Sequence, residues 1–93
     1  MREKNIEKQL RIEVKKRGGI AIKFTSPGFA GVPDRMVLMP KSNVAFVELK
    51  APGKQLKQHQ AKRKRQLEEL GFSVYIIDNI DKIGGVLDEI CAT

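Results

Sequence analysis

Cysteine is nearly absent from this sequence of 93 residues: the one it has, Cys91, excludes an internal disulfide and a cysteine-built zinc site, and reads as a small apolar helix residue. Four Phe, one Tyr and no Trp are too few for a platform on which successive bases stack. No apolar run approaches the roughly 20 residues that a membrane span requires, and the opening residues form no apolar signal segment. Repeats and low-complexity segments are missing as well. The expectation is therefore a single domain over 1–93, cytoplasmic (intracellular), with no membrane partner. A chain this short is near the small end of what buries a stable core unaided, so a surface for self-association is expected.

Acid is the other scarcity. Eleven Asp and Glu stand against 18 Lys and Arg, giving a net charge of +7 and a pI near 9.8. The imbalance is local. Lys50, Lys54, Lys57, Lys62, Arg63, Lys64 and Arg65 follow one another with no acid between them, whereas the stretch from Gln66 onward sets Lys82 against Glu68, Glu69, Asp78, Asp81, Asp88 and Glu89. A one-sided field of this kind attracts a polyanion and steers it to one face. Lys54, Lys57, Lys62, Arg63 and Lys64 are the candidate nucleic-acid contacts in the run, the bland alternative being a solvated helix face. Lys23 and the loop Thr25-Ser26-Pro27-Gly28 add hydroxyls and backbone N–H groups that a phosphate could use, although an ordinary connecting turn explains that loop too. His59, the single histidine, reads as a surface residue whose one functional use is a phosphate contact.

Hydrophobic periodicity lays out the elements. Ile6, Leu10 and Val14 form one stripe of a helix from Glu3 to about Arg17, stopped by Gly18-Gly19. Gly19–Phe24 reads as a strand. Arg35–Met39 and Val44–Lys50 make a hairpin through Pro40-Lys-Ser-Asn43, ended by Ala51-Pro-Gly53. A second helix runs from about Gln55 to Leu70, with Gly71 as its cap, followed by the strand Ser73–Ile77. Ile80, Ile83, Leu87 and Ile90 then recur at helical spacing. The αβββαβα order has an antiparallel hairpin and a strand-helix-strand unit that forces one parallel pair, hence a mixed α/β fold with helices flanking the sheet. The stripe of the last helix, interrupted by Gly84-Gly85, is either core or a dimer surface.

Charge then falls where a strand should be apolar. In Phe46-Val-Glu48-Leu-Lys50, Glu48 and Lys50 project to one face while Val47 and Leu49 pack the other. Asp34, at the mouth of the preceding strand, meets them if the hairpin forms. An ionised group near a core is unfavourable unless compensated. Hard carboxylate oxygens suit Mg²⁺ or Mn²⁺, and an ammonium beside them can hold or help deprotonate an attacking water. A surface salt-bridge cluster of the same three residues is the alternative. Glu7 borders the first helix's stripe and can lean toward the pair or bond Arg11 at i+4, with Glu3 and Glu13 as weaker candidates at the same spacing. Leu56, Gln60, Arg63, Leu67 and Leu70 share a face of the second helix, where the Gln60 amide needs polar partners, from the site or from backbone.

A helical Glu7, Gly31-x-Pro33-Asp34, Glu48-x-Lys50 and the downstream Gln60, in that order over about Glu3 to Ile77, resemble the PD-(D/E)xK nuclease superfamily and, within it, the virus-type replication-repair (VRR-NUC) branch. That resemblance implies an αβββαβ nuclease core, a four-stranded mixed sheet flanked by helices with a short C-terminal helix added, and a metal-dependent endonuclease that hydrolyses DNA phosphodiesters. It implies a catalytic set of Glu7, Asp34, Glu48, Lys50 and Gln60. Asp34, Glu48 and the Leu49 backbone carbonyl would hold Mg²⁺, with Mn²⁺ able to substitute, and Glu7 would assist directly or through water. Its members further imply products with 5′-phosphate and 3′-hydroxyl ends and a homodimer cutting branched, Holliday-junction-like DNA, as a phage enzyme would in replication and repair. With no insertion to read bases, recognition of DNA shape is favoured over a cognate sequence. A non-catalytic basic nucleic-acid-binding module, an RNA-cleaving enzyme of similar fold, and a nuclease of duplex or nicked DNA without junction preference are the alternatives.

Overall fold

The computed structural model describes residues 3–92. Its first helix, α1 (Glu3–Lys16), buries Ile6, Leu10 and Val14 completely. It ends where Gly18 takes φ +83°: the Gly19 N–H reaches the Val14 carbonyl and the Gly18 N–H that of Lys15, the paired bonds of a Schellman stop. Strands β1 (Ile20–Lys23), β2 (Arg35–Met39) and β3 (Asn43–Leu49) follow, then helix α2 (Gln58–Glu69), strand β4 (Val74–Ile77), a 3₁₀ turn at Ile80–Lys82 and helix α3 (Ile83–Cys91).

The four strands lie in chain order. β1 to β3 are antiparallel neighbours, and β4 lies parallel to β3 after the α2 crossover. The mixed sheet flanked by helices is thus as expected. On one face Val37, Met39, Ala45, Val47, Leu49 and Ile77 pack against the stripes of α1 and α3 to form the buried core. Ile83, Leu87 and Ile90 all belong to that core, which removes the α3 stripe as a dimer surface.

The opposite face is read in rows from the strand register. Ile20, Leu38 and Val44 make the first row, Ile22, Met36, Phe46 and Val74 the second, and Phe24, Asp34, Glu48 and Ile76 the third. Phe46 anchors this side, its ring 5.3 Å from that of Phe24 and 5.6 Å from that of Phe72. α2 covers the face sparingly. None of its residues is fully buried, and Ile20, Val44, Leu70 and Phe72 remain exposed beyond it.

Several boundaries differ from the sequence expectations, including β3, shifted by one residue to Asn43–Leu49, and β4, which starts at Val74 rather than Ser73. β1 is shorter by one residue at each end than Gly19–Phe24. α2 starts at Gln58 rather than Gln55, because a turn closed by the Lys54 N–H on the Ala51 carbonyl carries the chain past Pro52-Gly53 and Lys57 is still extended at ψ 159°. Leu56 consequently lies outside the helix, and the expected inward face of α2 is only half-buried at Gln60, Arg63 and Leu67, with Leu70 exposed. Finally, Lys50 sits one residue past the end of β3. Among the described residues no helix is long and apolar enough to cross a membrane.

Candidate active site

The antiparallel register of β2 and β3 pairs Arg35 with Val47, so the next step outward sets Asp34 opposite Glu48 on the same face. Two bonds fix that step. Asp34 Oδ2 accepts the Leu49 N–H at 2.8 Å, and the Asp34 carbonyl accepts the Phe24 N–H at 2.9 Å. The acid is therefore sewn to both neighbouring strands at the point where β2 begins.

Glu48 is 4% exposed, a carboxyl with little water around it. Burial raises its pKa first, then a hydrogen bond with the Asp34 carboxyl and the charge on Asp34; Lys50 pulls the other way, and the balance carries it from 4.5 to about 8. Two acids in contact, one of them holding its proton into neutral pH, are a pair short of positive charge. That is the physical signature expected of hard-oxygen ligands for a divalent cation. Two carboxylates fit such an ion with room left over, being fewer than six ligands and leaving positions for other oxygens. Among the described residues there is no cluster of three or more His, Cys, Asp or Glu side chains.

Lys50 is placed by α2. Its Nζ donates to Gln60 Oε1 at 2.8 Å, and the same oxygen accepts the Lys57 N–H at 2.9 Å. The amide thereby does two jobs, closing the first turn of the helix from its third position and holding the ammonium beside the two acids. One oxygen of Gln60 thus has both a side-chain and a backbone partner.

Glu7 is engaged by Arg35. Its Oε1 accepts Arg35 Nη2 at 2.7 Å, and Arg35 Nη1 also reaches the Ala21 carbonyl at 3.1 Å. Arg11 is not its partner. Arg35, on the core face with its side chain 10% exposed, was not among the sequence candidates. The signal for it was a charge at a strand position that period two assigns to the core. From α1 it is Glu3, rather than Glu7, whose charge contributes to raising Glu48.

The basic candidates separate by their partners. Lys64 is engaged by Glu68 at 3.0 Å. Arg63 turns to the loop before Asp34, its Nε on the Ala30 carbonyl at 3.0 Å and its guanidinium over the Phe29 ring. Among the described residues, the Lys23, Lys54 and Lys62 ammonium groups make no ion pair, and all three are exposed. The Ser26 carbonyl closes a turn with the Phe29 N–H.

Comparison with known proteins gives two likenesses. Over 81 residues the chain is 48% identical to "Putative nuclease p44" of Acyrthosiphon pisum secondary endosymbiont phage 1, covering 87% of each protein. In three dimensions it superposes on a solved structure described as "VRR_NUC domain" with a TM-score of 0.86 at 22% identity, over 92% of this chain and 94% of that one. No family profile matches the sequence.

Proposed function

Because the chain belongs to the VRR-NUC family of nucleases, we propose that it is a divalent-metal-dependent endonuclease that hydrolyses DNA phosphodiesters, acting as a homodimer on branched DNA. The observation that carries this reading is the convergence of Asp34 and Glu48, in side-chain contact on neighbouring strands, with Lys50 held to the same end of the sheet by Gln60.

Asp34, Glu48 and the Leu49 carbonyl would hold Mg²⁺, or Mn²⁺ in its place, an ion that supplies a Lewis acid for the scissile phosphate and acidifies water. The protein's own part is positional and electrostatic. Lys50 orients the attacking water and offsets charge that gathers on the phosphate oxygens in the transition state. Gln60 keeps that ammonium from drifting into solvent. Glu7, with Oε1 taken by Arg35, has Oε2 left for a water of the site. Lys23, Ser26, Lys54, Lys57 and Lys62 line the approach for the DNA backbone, which they would grip without reading bases. Exposed Ile20, Val44, Leu70 and Phe72 lie on the sparsely covered side of the sheet and support a second copy seated there, with two active sites for two strands.

The test is cleavage of labelled four-way, intact duplex, nicked and single-stranded DNA in Mg²⁺, Mn²⁺ or EDTA, with solution mass measured with and without the junction. We expect junction cleavage in either metal and none in EDTA. Asp34→Asn and Lys50→Ala should each lose roughly a hundredfold or more of the rate while still binding. Equal cutting of duplex would remove the junction preference, and binding without cutting in every metal would replace the enzyme by a binding module.

A further inference from the structure

We infer that Arg63 is a positioning residue of the active site, clamping the loop that delivers Asp34 onto the same helical turn that holds Lys50, rather than a contact for DNA phosphate; this rests on the nuclease reading above. Its guanidinium carbon Cζ lies over the Phe29 ring, 3.5 Å from the centroid, Nε donates to the Ala30 carbonyl at 3.0 Å, and Nη1 bonds Gln66 Oε1. The face of the group and two of its donors are thus occupied by the protein itself.

The residues after Ala30 make the clamp consequential. Gly31 has φ +87°, and a Cβ there would collide with the His59 carbonyl oxygen and stand 2.9 Å from its carbon, so the loop lies directly on the backbone of α2. Buried Pro33 and then Asp34 come next. His59, Gln60 and Arg63 occupy one turn of α2. Two of them bear on the loop leading to Asp34 and the third holds Lys50. The acid and the amine come from separate segments, and this turn sets the distance between them. A small misplacement between reacting groups can reduce a rate by about a hundredfold.

A lysine at this position would keep the charge but lose the flat stacking surface and the directed Nε–H. The experiment therefore compares Arg63→Lys, Arg63→Ala and Lys62→Ala. Junction affinity, its salt dependence and single-turnover cleavage at saturating DNA are measured for each, with amide exchange followed across residues 28–34. Both Arg63 variants should cleave roughly ten- to a hundredfold more slowly with affinity within about twofold of the unaltered protein, and exchange should quicken in the loop but not in α1 or β3. Lys62→Ala should differ from both: weaker binding and flatter salt dependence, with exchange across residues 28–34 unchanged. Arg63→Lys with an unchanged saturated rate, or unchanged exchange across 28–34 in both variants, overturns the inference. If the unaltered protein cuts no DNA, the nuclease reading fails, and the exchange measurement still decides the clamp.

Discussion

The proton on Glu48 gives the site its own pH dependence. Between its ordinary value of 4.5 and about 8 the folded chain holds this proton and the unfolded chain does not. A state that binds more protons loses ground as pH rises, so the contribution is fully present below about 4.5 and is lost as pH climbs through 8. In metal-free buffer the denaturation midpoint should fall over that window, and Glu48→Gln should flatten the fall; a midpoint that is level in the unaltered protein contradicts the burial argument. Binding of a cation expels the same proton, so Mg²⁺ affinity measured by calorimetry should strengthen with pH up to about 8. Glu7 is a different kind of acid. It faces Arg35, whose side chain is 10% exposed while that of Glu7 is 38% exposed, so solvent weakens the pair. Glu7→Gln should lower stability by roughly 1 kcal/mol and reduce cleavage far less than Asp34→Asn does. Thermal melts and single-turnover rates taken on the same samples check both halves.

At the scale of elements, the hairpin shows how much was legible beforehand. Alternation placed β2 to the residue and β3 within one, because each strand has one face in the core and a slip by one position would turn every side chain over. The apposition of Asp34 and Glu48 follows from that register, whereas Lys50 lies one residue past β3 and is held by Gln60 of α2. What escaped depends on contacts distant in sequence. Arg35 meets Glu7 across 28 positions, and Arg63 meets Ala30 across 33. Inside a basic run, an arginine stacked on Phe29 has no local mark that separates it from Lys62. The start of α2 was misplaced for a local reason: Gln55-Leu56-Lys57 are good helix formers, but the Ala51–Lys54 turn and the Gln60 cap begin the helix later. The hairpin turn has its own strain, because Lys41 at φ 67° and Ser42 at φ 63° hold the left-handed conformation without being glycine. Lys41→Gly or Ser42→Gly should raise stability by about 0.5–1 kcal/mol, read as a higher denaturant midpoint at unchanged slope. A loss would mean that those side chains make contacts outweighing the strain.

For the whole molecule the decisive quantity is how the +7 charge is spread. The acids of the C-terminal third are partly spent on the protein's own cations: Asp88 on Arg17 at 2.6 Å, Asp78 on Lys82 at 2.6 Å, Glu68 on Lys64. Such pairs withdraw Arg17, Lys64 and Lys82 from the field that a polyanion meets, and Arg63 is withdrawn by its loop contacts. Lys23, Lys54 and Lys62 keep exposed ammonium groups, with Lys54 and Lys62 following Lys50 in the acid-free run. The number of phosphates neutralised should therefore track these lysines more closely than the total of basic residues. Each contact removed should lower the log-log salt slope for duplex arms by ~0.9. Lys54→Ala combined with Lys62→Ala should then flatten the slope by about 1.8, whereas Lys64→Ala combined with Lys82→Ala should leave it nearly unchanged, although both pairs remove the same formal charge. Junction titrations at four or five salt concentrations measure it. Equal flattening by the two pairs would mean that net charge, and not its placement around the Asp34 and Glu48 end of the sheet, governs how the DNA is held.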